Sequence, residues 1–308
     1  MGTFCEIQAY HSDTSMAQQA IRRALDEMER VDRLLSNYDP ESELSALNRE
    51  ASRHPFRVSE ELFDFIQRCK ALYEATENAF DPTVGPLVRV WGFFTPHPGR
   101  PPDTEIAAAK AKSGFDKVHL NEAARTVSYA VTGMEIDPGG IGKGYAVDRA
   151  VQVLRAMDIE AALVSAGGST LCALGHPPNR PGWRIAIKDP ADFQRALALV
   201  DLCGGSLSTS GISERSVQVG SRRYSHIFDP RTCEPVEGMC QVTVIAPGAT
   251  ESDALTKAAF ILPRDSVLNL FKRRAAVHAL RVEGPCGEER SVWITPWSSS
   301  VFAQDRHT

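Results

Sequence analysis

The chain has 308 residues, 43% of them hydrophobic and 24% charged. That is enough apolar content to fill the core of one large domain or two modest ones, and it excludes a disordered chain. The net charge of −5 is small, both signs are scattered, and no basic run tracks a phosphate backbone, so the reading is of no nucleic-acid partner. No stretch approaches the ~20 apolar residues of a membrane span. The start MGTFCEIQAYHSD has neither a basic n-region nor an apolar h-region. The expectation is therefore a cytoplasmic protein, periplasmic only if an export signal has been removed. The 7 cysteines are dispersed and form no CxxC pair, which points to reduced, mostly buried thiols instead of a disulfide framework or a zinc site.

Phe4, Ile7 and Tyr10 give residues 3–10 the alternation of a strand, and Ser12-Asp13-Thr14-Ser15 offers an N-cap for a helix behind it. From Met16 to about Leu35, Ala20, Ile21, Ala24, Leu25, Met28, Val31 and Leu34 recur at three and four, which predicts an amphipathic helix. A second helix carries Leu62, Phe63, Ile66, Cys69, Leu72 and Tyr73 after the start signal Ser59-Glu60-Glu61. The Pro- and Gly-rich piece at about 95–105 reads as a loop insertion within a single unit spanning 1–308. Beyond it, short apolar runs at 117–120, 127–131, 162–165, 184–187, 217–219, 224–228 and 241–246 alternate with two or three helices. The fold class is α+β, or mixed α/β. One of those helices, 143–157, comes directly after a glycine-rich turn.

Four segments carry chemistry. Asp137-Pro138-Gly139-Gly140-Ile141-Gly142-Lys143-Gly144 puts glycines and free amides at a helix start, where phosphate is attracted. The segment fits neither a Walker A loop nor GxGxxG, and a tight turn without a ligand reads equally well. Tyr224 to Thr232 ends a strand in an Asp-Pro turn and presents His226, Asp229 and Arg231, a group that could move a proton or hold phosphate; the alternative is a hairpin end with a satisfied histidine. Glu251 to Lys257 opens a helix with Asp253 and a hydroxyl one turn on. These would be oxygen ligands for magnesium, although spacing alone favours a helix cap. Asn78 to Pro86, with Trp91-Gly92-Phe93, sets aromatic planes beside a carboxylate, and such planes sandwich a ring or fill a core.

Taken together, these segments make the chain one that resembles the ApbE family. The resemblance rests on Leu35-Ser36-Asn37-Tyr38-Asp39-Pro40-Glu41-Ser42-Glu43-Leu44, Ala79 to Leu87 with Trp91-Gly92-Phe93, and Asp137 to Ala146. It continues through Ser165-Ala166-Gly167-Gly168, Ser208-Thr209-Ser210-Gly211, Tyr224 to Thr232, and Val242 to Pro247 with Asp253-Ala254-Leu255. It implies a T-fold-like core with a second, smaller α/β subdomain, and an FAD:protein FMN transferase. FAD would be a substrate: a Thr or Ser hydroxyl of an acceptor protein attacks the FMN phosphorus, AMP leaves, and Mg2+ stabilises the pyrophosphate charge. The resemblance implies FAD against Leu35, Ala79, Phe80, Asp81, Lys143 and Phe228. His226 and Asp253 would be catalytic, and the Gly140 carbonyl and the Asp253 carboxylate would hold the metal. Position 257 departs from the pattern, with Lys where the family has Thr, and Thr256 sits one residue early on another helix face. Cys233 replaces a glycine, and Ser169 stands where many members have Asp. Two rival readings use the same groups: an FAD carrier or regulator that has lost transfer, and a hydrolase that releases FMN and AMP.

Overall fold

The computed structural model describes residues 2–92, 99–212, 216–219, 222–274, 276–284, 290–295 and 302–303. The chain divides into two compact units. The first comprises Met1–Val31, Ile141–Ser213 and Gly238–Thr308, and the second Asp32–Gly140 and Glu214–Glu237. Helices and strands mix in both, as expected for an α+β chain.

The first unit is built on a seven-stranded sheet in the order Cys5–Tyr10, Ala161–Ala166, Thr170–Leu174, Gly205–Gly211, Met239–Ala246, His278–Glu283, Ser291–Ile294. Every neighbouring pair in it is antiparallel. Met239–Ala246 is buried along its whole length, as befits an interior strand covered on both faces. On one side the helix Ala249–Ile261 packs on Gly205–Gly211 and Met239–Ala246, and the helix Gly142–Ala156 packs against that helix. On the other side a core of Trp183, Ile187, Val200, Leu207, Ile245 and Leu280 joins the sheet to the hairpin Trp183–Asp189 and Asp192–Leu202. Period-two alternation along Gly205–Gly211 explains the division: Leu207 enters that core, while Ser206, Ser208 and Ser210 face the helix Ala249–Ile261.

The helix Thr14–Leu35 starts where the Ser12 to Ser15 signal puts it. Asp13 Oδ1 accepts from the amides of Ser15 at 2.8 Å and Met16 at 3.2 Å. Ala20, Ala24, Met28 and Val31 are buried, which is the stripe the spacing predicts.

In the second unit the helices Glu43–Glu50, Glu60–Ala75, Gly85–Trp91 and Asp103–Ala111 accompany a three-stranded sheet of Phe56–Arg57, Thr126–Tyr129 and Val118–Asn121. Ser59 Oγ caps Glu60–Ala75 by accepting from Leu62 N at 3.2 Å. The stretch read as an insertion at about 95–105 ends inside a helix, since Asp103–Ala111 begins there; residues 93–98, with Phe93, lie outside the described residues.

Two expectations need correction. The 224–228 run is not one strand: Arg222–Ser225 and Phe228–Asp229 are separate, because Ser225 Oγ accepts the Ile227 amide at 3.0 Å and takes it out of a ladder. Nor are the thiols all reduced. Cys5, Cys69, Cys172, Cys203 and Cys233 are free, but Cys240 is disulfide-bonded. Dispersed cysteines give no spacing signal that would reveal such a bond. Among the described residues no helix is long and apolar enough to cross a membrane.

Candidate functional site

In the first unit the glycine-rich turn leads into the helix Gly142–Ala156 as the sequence predicts. Its start is fixed by close packing against the helix Ala249–Ile261. A Cβ on Gly144 would lie 2.1 Å from the Ala249 carbonyl oxygen and 2.9 Å from Asp253 Cβ, so only glycine fits. The Gly144 amide donates to Asp253 Oδ2 at 3.0 Å. That amide is therefore engaged within the protein, and the cation next to it at this turn is Lys143. Lys143 Nζ donates to Ser169 Oγ at 2.6 Å. Ser169 thus holds Lys143 without neutralising it.

Asp253 is not a helix cap, contrary to the reading from spacing. The helix begins at Ala249, and its cap is a carboxylate from the facing helix. Asp148 accepts from Ala249 N at 2.7 Å, Thr250 N at 2.8 Å and Thr250 Oγ1 at 2.6 Å. Asp253 sits in the interior of the helix, only 2% exposed. Its second oxygen, Oδ1, accepts from Lys257 Nζ at 2.5 Å, and the same ammonium reaches the Asp253 carbonyl at 3.0 Å. Thr256 is turned into the sheet, where its hydroxyl donates to the Asp253 carbonyl and meets Ser210 Oγ, both at 2.7 Å.

This arrangement decides how the metal implied by the resemblance relates to this chain. Both Asp253 oxygens are engaged, one by an amide and one by an ammonium, and Thr256 is committed to the sheet. A divalent cation on Asp253 would have to sit beside the Lys257 ammonium that already holds Oδ1, and the two positive charges would repel. Among the described residues no group of three or more His, Cys, Asp and Glu could hold a metal ion. The residues present fit an ammonium at Asp253, not a divalent ion.

In the second unit three of the sequence segments converge. The Asp137 amide donates to the Pro82 carbonyl at 2.6 Å, tying the glycine turn to the 79–86 segment. Asn37 and Asn48 side chains both donate to the Ile136 carbonyl, at 3.2 and 3.0 Å, and Asn48 Oδ1 accepts from Ile136 N and Tyr129 OH. A cavity of about 230 Å³ opens here among Asn37, Tyr38, Asn48, Arg49, Arg89 and Glu135. Gly140 ends a 3₁₀ turn, Pro138–Gly140, in this unit.

Leu35, Ala79, Phe80 and Phe228 are all buried. Their side chains are packed inside the protein. Phe228 and Tyr224 pack on Trp91, with ring centroids 5.8 and 5.2 Å away. Of the two readings left open for the aromatics, core filling is the one seen for Trp91. Pro86 sits in the first turn of the helix Gly85–Trp91, and left-handed Gly92 ends it. Asp81 accepts from Thr83 N at 2.8 Å and Thr83 Oγ1 at 2.7 Å, while burial pushes its carboxyl above the ordinary range. His226 is half-buried just after the strand Arg222–Ser225. Asp229 is drawn into an ion pair with Arg231 at 2.7 Å. Cys233, at a position where the family pattern has glycine, does adopt a left-handed φ of 65°.

A glycine-started helix with Lys143 at its head is locked to a second helix that carries Asp253 and Lys257, within an α+β unit. Similarity to known proteins gives the family. The ApbE family model matches residues 1–281. The chain is 32% identical over 303 residues to a protein named FAD:protein FMN transferase from Klebsiella pneumoniae (strain 342), covering 96% of this chain and 85% of the relative. The ApbE protein of Thermotoga maritima superposes with a TM-score of 0.86 at 31% identity, over 96% of this chain and 94% of that one. The flavin transferase ApbE of Vibrio cholerae does so with a TM-score of 0.81 at 29% identity, over 97% and 95%. The chain belongs to the ApbE family.

Proposed function

We propose that this protein is an FAD:protein FMN transferase, attaching FMN to a Thr or Ser hydroxyl of an acceptor protein and releasing AMP. Membership of the family over residues 1–281 carries this reading, together with Lys143 at the head of the glycine-started helix. In the step, the acceptor oxygen bonds to the FMN phosphorus, and the bridging P–O bond breaks with its electron pair going to AMP. His226 accepts the hydroxyl proton. Lys143, aimed by Ser169, balances phosphate charge. The backbone at Leu35 and Ala79 to Asp81 and the Phe228 segment hold the flavin nucleotide. No step is routed through magnesium, because Asp253 is held by Gly144 and Lys257.

The test is incubation with FAD and an acceptor carrying the target hydroxyl, followed by denaturation. Fluorescent flavin retained on the acceptor, with AMP released mole for mole, is expected. FMN and AMP formed without an acceptor would show a hydrolase, and FAD bound without cleavage would show a carrier. Lys143→Ala should lower kcat/KM by about 10²-fold or more, the loss expected when a preorganised charge is removed. An unchanged rate would deny Lys143 its role.

A further inference from the structure

We infer that Lys257 is a built-in cation that takes the place of a divalent metal, so that this chain transfers FMN in the absence of any divalent ion. The inference rests on the proposed transferase reading and assigns the electrostatics of that same site. Three observations carry it. The carboxylate that would take a metal is buried and each of its oxygens is already engaged: Gly144 N donates to Oδ2 at 3.0 Å and Lys257 Nζ to Oδ1 at 2.5 Å. The Lys257 side chain is 19% exposed against 2% for Asp253, so the ion pair is buried at its acidic end and open at its basic end. Its ammonium keeps N–H capacity beyond its two contacts with Asp253, since an ammonium has three donors.

Charge points the same way. Lys143 is held by a neutral hydroxyl and Lys257 by a single carboxylate, so Lys143, Asp253 and Lys257 together carry a net +1 with no metal. An oxygen-only set around Asp253 would need an added cation to reach a positive balance. Lys257 provides one covalently, as a compact point charge of the kind that suits phosphate. Asp253 then serves to position an ammonium, and that is a different task from ligating magnesium.

The experiment measures transfer and metal binding side by side. The purified protein is assayed with FAD and acceptor in EDTA and in magnesium, and Mn2+ binding in the presence of FAD is followed by calorimetry for the natural chain and for Lys257→Thr. Expected are equal rates in EDTA and magnesium for the natural chain, no Mn2+ binding, and Mn2+ binding gained by the variant. The variant's transfer should become metal-dependent by about tenfold or more. Transfer abolished by EDTA and restored by magnesium in the natural chain would overturn the inference and leave the transferase standing. Absence of transfer under both conditions would overturn the transferase instead. Tight Mn2+ binding by the natural chain overturns the inference whether or not transfer is seen, and that outcome does not depend on the variant's folding.

Discussion

Thr256 and Lys257 differ by one step along a helix, and that ~100° separates a sheet contact from an ion pair at the helix edge. The Thr256 hydroxyl is fixed between Ser210 and the Asp253 carbonyl. Thr256→Val should cost about 1–3 kcal/mol in urea unfolding, because Ser210 Oγ loses a buried partner. Flavin transfer per folded molecule should be unchanged; a variant that folds but fails to transfer would show that Thr256 does more than pack. Asp81 belongs to this scale too. Burial raises its folded pKa, with Thr83 opposing, so its contribution favours folding at pH below the ordinary carboxylate value and is lost as pH rises through the folded value. Asp81→Asn keeps an acceptor for Thr83 but cannot ionise. Its melting temperature should fall less between acid and neutral pH than that of the natural chain, and parallel profiles would contradict this.

Between elements, the two helices that carry the lysines are joined by reciprocal polar contacts: Asp148 caps Ala249–Ile261, and Asp253 accepts from Gly144. Gly144→Ala would force a Cβ against the Ala249 carbonyl and should cost about 1–3 kcal/mol, the range of overpacking, measured by denaturant unfolding. A neutral result would mean that the helices separate freely. The regular elements are legible in the sequence where periodicity is strong. The stripe from Ala20 to Val31 and the caps at Asp13 and Ser59 are where the sequence puts them. The helix Gly85–Trp91 is hidden because Pro86, Gly85 and Gly92 look like breakers until their first-turn and C-cap positions are known. Asp148 as a cap for another helix has no local signal at all, since its partners Ala249 and Thr250 lie 101 and 102 residues further along the chain.

For the whole molecule, the ordered blocks from Leu35 to Asp253 make the family legible, and similarity to known relatives bears it out. Chemistry is harder to read than ancestry. Sequence spacing exposes Lys257 as a departure, but only the geometry shows its ammonium on Asp253 and the Thr256 hydroxyl committed elsewhere. Likewise the sequence leaves the aromatic planes open between stacking on a ring and filling a core, and the Phe80 and Phe228 side chains are buried in the fold. The proposed chemistry moves FMN from FAD to a protein hydroxyl. Its most direct measurement is the intact mass of the acceptor after reaction with FAD, alongside AMP release. One FMN attached for each AMP released is the expected result. Cleavage of FAD that leaves the acceptor mass unchanged would contradict it.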